Sequence, residues 1–205
     1  GYINARSALD WAEAHFRPTQ LVVAGASAGS IAAPFYGQLL ARAWPQADVA
    51  VISDASGGYR SGAVNGLLHT WGTPQILRQA GDYDQLAAET ADFEDLTIQA
   101  GLRAKQLRFL HYNTARDESQ RFFLSLLGAA ADADLVTKIR ANEADIRSEL
   151  PGRFTSFTDT GVEHMILAYP RFYERAVAGT SFRDMVAAFL DGDVRPAVDC
   201  GICQQ

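Results

Sequence analysis

The segment Gly25-Ala26-Ser27-Ala28-Gly29 matches the pattern G-x-S-x-G. Its serine is flanked only by Gly and Ala, with an apolar run before it and a helical pattern after it, the layout of a nucleophile elbow. Such a turn lifts the Ser27 hydroxyl above a sheet at the positive end of the next helix. There the backbone N–H of Ala28 is placed to help bind an oxyanion. The chemistry implied is acyl transfer. The plainer reading of the same five residues is a glycine-rich packing turn with an incidental serine.

A serine hydroxyl needs a base, and the base needs an acid to orient it. The sequence offers His15, His69, His111 and His164. His15 lies on a helix ahead of the serine, and His111 sits inside an apolar strand pattern; both read as structural. His69, in Leu67-Leu68-His69-Thr70-Trp71, reads as a helix-surface residue. His164 follows the last strand pattern, where the order Ser, Asp or Glu, His puts the base. Two residues qualify as the acid. Asp54 ends the strand after the nucleophile helix; Asp117 follows the next strand, in Tyr112-Asn113-Thr114-Ala115-Arg116-Asp117-Glu118. Either could equally be a helix cap, and position alone leans to Asp117.

These residues must be carried by a scaffold, and the periodicity predicts one. Ala5, Ala8, Leu9, Ala12 and Phe16 mark one face of a helix over 3–16, closed by Pro18. Leu21-Val22-Val23-Ala24 reads as a strand buried on both faces. A helix over 28–43 follows, with Pro34 in conflict with its interior, and then a strand over 49–54. Strand, glycine turn, helix, strand predicts an α/β fold with a mainly parallel sheet and helices on both faces. Residues 55–104 read as a helical insertion or cap over the sheet edge, with a helix at about 94–104. A strand over 107–112, helices over 116–127 and 131–149, and a strand over 154–160 complete the pattern. A closing helix over 181–190 has Ser181 as N-cap and Phe182, Met185, Val186 and Phe189 on its buried face. The whole reads as one domain.

Composition removes several other classes. With 48% hydrophobic and 20% charged residues in 205, the chain is able to bury a core, which excludes disorder as its class. A formal net charge of −6 argues against a nucleic-acid binder working through a basic face. No stretch has the roughly 20 consecutive apolar residues of a membrane span. Cys200 and Cys203 form a C-x-x-C pair, too few thiols for a structural zinc site. They are either a local disulfide of an oxidising compartment or two reduced cysteines.

Several blocks along the chain resemble the pectin acetylesterase / Notum family. They are Asn4-Ala5-Arg6-Ser7-Ala8-Leu9-Asp10-Trp11, the elbow itself, Val51-Ile52-Ser53-Asp54-Ala55-Ser56-Gly57 and Tyr112-Asn113-Thr114-Ala115-Arg116-Asp117-Glu118-Ser119-Gln120. Gly161-Val162-Glu163-His164-Met165-Ile166-Leu167 follows, and the tail Val198-Asp199-Cys200-Gly201-Ile202-Cys203 fits bacterial members. The resemblance implies an α/β-hydrolase-like fold with nucleophile Ser27, acid Asp117 and base His164. It leaves Asp54 as a structural or pocket-lining residue. It further implies a secreted, extracellular or periplasmic ester hydrolase that needs no metal or cofactor and acts on a small-molecule or polysaccharide ester. Ser30 stands where the family usually repeats glycine.

In α/β hydrolases several strands and a Gly-rich oxyanion loop precede the nucleophile strand. Here one helix does, so residues 1–205 are expected to be the C-terminal portion of a longer domain. On that expectation an upstream segment completes the fold. A non-catalytic binding protein and a lipase or polyester hydrolase on the same scaffold are the competing expectations.

Overall fold

The computed structural model describes residues 1–60, 62–80, 91–128 and 134–203. Its centre is a parallel sheet of order β1-β2-β3-β4-β7: Gln20–Ala26, Asp48–Asp54, Leu107–Thr114, Phe154–Asp159 and Val198–Asp199; β5 (Ala176–Val177) and β6 (Thr180–Ser181) form a separate antiparallel pair. Parallel neighbours need long crossovers, and helices supply them. The first, α2 (Ala28–Ala43), joins β1 to β2; α5 (Phe93–Arg103) leads into β3, and α7 (Leu135–Glu149) into β4.

Alternation along the strands builds two cores. Val49 and Val51 of β2 face one side with Leu107 and Phe109 of β3, under Ala33 and Ala41 of α2, Ile98 of α5 and Ile146 of α7. Ala50, Ile52, Leu110 and Tyr112 face the other side, covered by Phe182, Met185, Val186 and Phe189 of α8 (Phe182–Leu190). These four are the residues the sequence pattern assigns to the buried face of the closing helix. Ser181 caps α8, its hydroxyl accepting from the Asp184 N–H at 3.3 Å.

The stretch 55–104 divides in two. Helices α3 (Gly62–Thr70) and α4 (Thr73–Gln79) form an apolar cluster beside α2, through Val64, Leu68, Leu77 and Phe35. In contrast, α5 is the crossover itself and shares a sheet face with α2 and α7, because a parallel β2–β3 pair cannot be joined otherwise. Its start is set by a capping box between Asp92 and Asp95.

Two expectations are corrected. The first is β1, which is not buried on both faces: among the described residues it pairs with β2 alone, and Val22 is 48% exposed. The second is α1 (Tyr2–His15), which buries no residue fully; Tyr2, Ala5, Leu9 and Ala12 are half-covered while Ala8 and Phe16 face out. Residues 131–133, expected to begin a helix, lie outside the described residues; α7 starts at Leu135 behind the Asp134 cap. No helix among the described residues is long and apolar enough to cross a membrane.

At the far edge, β7 is followed by a Cys200–Cys203 disulfide. Arg140 of α7 anchors this tail through a two-pronged ion pair to Asp199 at 2.9 and 2.6 Å.

Also on α7, Glu143 is buried against β4 and accepts from the hydroxyls of Ser156 at 2.7 Å and Thr158 at 3.4 Å. Burial pushes its carboxyl up to about 7. Its folded value thus exceeds its unfolded one, so its contribution is full in acid and is lost as pH rises through 7. Glu143→Gln is expected to raise the melting temperature at pH 8.5 by several degrees more than at pH 5. Thermal denaturation at the two pH values checks this, and an equal shift at both contradicts it.

Candidate active site

Ser27 joins β1 directly to α2 with φ 54° and ψ −128°, a conformation non-glycine residues seldom adopt. Such a turn costs on the order of 1–3 kcal/mol and persists only where the surroundings hold it. Here they do. The Ser27 N–H donates to the Asp54 carbonyl at 2.8 Å. The Ser27 carbonyl accepts from the Ser30 N–H (2.9 Å), the Ser30 hydroxyl (2.7 Å) and the Ser56 hydroxyl (2.7 Å).

The glycines of the motif differ in what they require. A Cβ on Gly25 would lie 2.1 Å from the Gly29 carbonyl oxygen, whereas a Cβ on Gly29 would meet nothing within 4 Å. Only the first is sterically compelled. Pro34 inside α2 is accommodated by a substitute donor: it has no N–H for the Ser30 carbonyl, and the Ser53 hydroxyl donates there at 3.1 Å. The Ser30 hydroxyl, donating to the Ser27 carbonyl, is thus part of the turn's support.

The loop after β4 brings His164 over the elbow. Its Nε2 lies 2.8 Å from the Ser27 Oγ, and its Nδ1 lies 2.7 Å from Asp117 Oδ2. With Nδ1–H donating to the carboxylate, Nε2 is left to accept from the serine, the tautomer the bonding pattern selects. Asp117 is fully buried at the N-terminus of α6 (Glu118–Leu126). Its Oδ1 accepts from the Gln120 N–H at 2.9 Å, and its Oδ2 also accepts from the Gln120 side-chain amide at 3.1 Å. The cap of α6 and the partner of the imidazole are therefore one residue, with Oδ1 on the helix N-terminus and Oδ2 facing His164. Ala28 is the first residue of α2, where helical N–H groups have no partner within the helix.

The remaining candidates lie elsewhere or act differently. His15 is exposed on α1, its Nδ1 2.6 Å from the Trp11 carbonyl, and His69 is exposed on α3. His111 is buried in β3 edge-on to Phe154, and burial pulls its imidazole down to about 4. Asp54 is fully buried and accepts from the N–H groups of Ile166 (2.8 Å) and Leu167 (2.9 Å), just past His164. Sequence reasoning did not single out Asn113, Gln120, Asn142 and Arg171. Asn113 accepts from the Gly57 N–H at 2.8 Å, Gln120 from the Gly58 N–H at 3.0 Å, and Asn142 donates to the Gly57 carbonyl at 2.9 Å. These contacts stitch the turn after β2 to β3, α6 and α7. Asn113 and Gln120 fall inside a block resembling the family, which was the one signal available.

A cavity of about 250 Å³ opens beside Ser27 and Ala28, lined by Ile31, Tyr59, Leu67, Trp71, Phe93 and Phe123. A second, of about 170 Å³, shares Ala28, Ile31 and Trp71 with it. Tyr59, Trp71, Phe93 and Phe123 form the aromatic part of the larger cavity's wall; Tyr169, Phe172 and Tyr173 lie away from it. Among the described residues, Asp199, Cys200 and Cys203 are the one group close enough to hold a metal ion. The disulfide leaves that group without thiolates.

No protein-family model matches the sequence, and no curated protein does. Among solved structures, the chain is similar to the Wnt deacylase Notum from Drosophila, with a TM-score of 0.48 and 14% identity. The match covers 88% of this chain and 56% of that one, so the chain spans little more than half of that neighbour's length. A likeness at this level concerns the path of the chain alone.

The unequal glycines give a direct test of the elbow. Gly25→Ala is expected to cost about 1–3 kcal/mol of stability through backbone overpacking. Gly29→Ala should stay within about 0.5 kcal/mol. Urea denaturation measures both, and equal effects would contradict the packing described.

Proposed function

We propose that the protein is a serine carboxylic-ester hydrolase of the esterase or deacetylase type, acting through Ser27, His164, Asp117 and an acyl-enzyme. The observation that carries this reading is the unbroken line of hydrogen bonds from the Ser27 hydroxyl through His164 to the buried Asp117. On it, His164 Nε2 takes the hydroxyl proton as Ser27 Oγ attacks the ester carbonyl. Asp117 keeps the ring oriented and stabilises the imidazolium. The Ala28 N–H meets the developing oxyanion, assisted by the helix terminus. His164 then gives its proton to the departing alcohol. Water, deprotonated by the same imidazole, releases the acid and restores Ser27.

The resemblance to the pectin acetylesterase / Notum family points the same way, and with it we take the protein to be bacterial and exported. A disulfide in the tail fits an oxidising compartment. We further take residues 1–205 to be the catalytic portion of a longer domain. The exposed face of β1 supports this, since a nucleophile strand is ordinarily flanked on both sides. The segment that covers it would also supply the second oxyanion donor.

The decisive test is labelling by a fluorophosphonate probe, which the wild-type protein should show and Ser27→Ala should lose completely. Labelling that survives the substitution removes Ser27 from its role. A longer protein that includes the covering segment and still turns over no p-nitrophenyl ester instead favours the binding-protein reading.

One observation favours the lipase-like or polyester-hydrolase variant over a strict acetyl esterase: the cavity beside Ser27 is walled by Leu, Ile and aromatic side chains. Each buried methylene stabilises by about 0.8 kcal/mol, close to fourfold in rate. The kcat/KM for p-nitrophenyl esters is therefore expected to climb severalfold per carbon from acetyl to hexanoyl. A maximum at acetyl would assign the cavity another use.

A further inference from the structure

We infer that Asp54 and Arg171 form a clamp that positions the His164 imidazole against Ser27. The inference rests on the ester-hydrolase reading above and adds two positioning residues to it. The loop carrying the imidazole reverses sharply at Met165, whose φ is 61°. A bulky side chain at such a φ is strained and needs outside support.

The support comes from two opposite charges acting on consecutive peptide groups. On one side, the Arg171 guanidinium donates to the His164 carbonyl at 2.7 Å and to the Met165 carbonyl, at 3.1 Å from Nε and more closely from its terminal nitrogen. Its own plane rests over the Tyr169 ring, 4.5 Å from the centroid. On the other side, Asp54 Oδ2 accepts from the N–H groups of Ile166 and Leu167. Carbonyls 164 and 165 are thus drawn toward a cation and the next two N–H groups toward an anion. That pairing defines the reversal.

Asp54 also reaches the nucleophile. Its backbone carbonyl accepts from the Ser27 N–H, so one residue ties the elbow through its main chain and the imidazole's loop through its side chain. A purely structural carboxylate would be expected to use both oxygens in a site this buried. Asp54 Oδ1 has no hydrogen-bond partner, although the residue is fully buried. Burial of a partly unpaired carboxylate is costly, and the two backbone N–H groups only partly offset it. What the charge accomplishes is the geometry of the turn. Neither residue touches the reacting atoms, and a misplacement of about 1 Å at a base is able to cost on the order of 10² in rate.

The test uses Asp54→Ala, Asp54→Asn, Arg171→Met and Arg171→Lys, each checked for folding by circular dichroism. Arg171→Met guards against a fully buried Asp54→Ala that fails to fold. Two readouts are taken: kcat and KM for a short p-nitrophenyl ester, and the downfield NMR resonance of the His164 Nδ1–H. Folded Asp54→Ala and Arg171→Met should lose about 30- to 100-fold in kcat, with KM within about twofold. Their imidazole resonance should broaden or shift. Asp54→Asn and Arg171→Lys, which keep an acceptor and a cation, should recover about tenfold of that loss.

A folded Arg171→Met or Asp54→Ala with wild-type kcat and an unchanged resonance overturns the clamp. So does a fall in melting temperature alone. If a longer protein that includes the covering segment turns over no ester, the hydrolase reading fails separately, and the resonance still decides whether the clamp holds the ring.

Discussion

The register of the parallel ladder is the constraint from which the site follows. Ala26 pairs with Asp54, Asp54 with Tyr112, and Thr114 with Asp159, so the carboxyl ends of β1 to β4 come level. Ser27, Asp54, Asp117 and His164 each stand at, or a few positions past, one of those ends. Slippage of one strand by a single residue would exchange its inward and outward side chains. In β2, β3 and β4 the buried side chains have fixed partners on each face, such as Ser156 and Thr158 on Glu143, and a slip would separate them. A hydrogen bond between residues 137 positions apart in sequence thereby becomes local in space.

Strain is gathered where the strands end. Of the five non-glycine residues with positive φ among those described, Ser27, Ala55 and Met165 all belong to this region. Each is held by partners from a neighbouring strand or loop: the Ser27 N–H by the Asp54 carbonyl, the Ala55 N–H by the Tyr112 carbonyl at 2.8 Å, and the Met165 reversal by the side chains of Asp54 and Arg171. The sheet's rigidity is what makes such local cost tolerable. Side chains that look incidental in sequence, such as Ser53 under Pro34, complete the backbone bonding that the helix and turns leave open.

The two halves of the site contrast in polarity. The Ser27–His164–Asp117 array is hydrogen-bonded at each step, with Asp117 fully buried. The adjoining cavity is mainly hydrocarbon and aromatic. An apolar wall lowers the local dielectric and strengthens the charge interactions beside it. On the proposed ester-hydrolase reading, such a wall serves both to receive an acyl group and to strengthen the hydrogen bonds beside it.

Much of the fold was legible in the sequence because burial imposes local periods. The 16-residue helix after the serine, the strands at 49–54 and 107–112, and the Ser181 cap all follow from apolar spacing and turn chemistry within one element. The elbow was legible too, since a strand-to-helix turn this tight restricts which residues fit. Pairing was a different matter. Whether Asp54 or Asp117 faces the imidazole depends on which loop leans over β1, and nothing within either segment encodes that. Position leaned only slightly to Asp117, and the choice rested on the family resemblance. The substitute donor for Pro34 and the clamp around Met165 likewise join residues distant in the chain. Local sequence decides what each segment is able to form; only the packed sheet decides which polar groups are left within reach of one another.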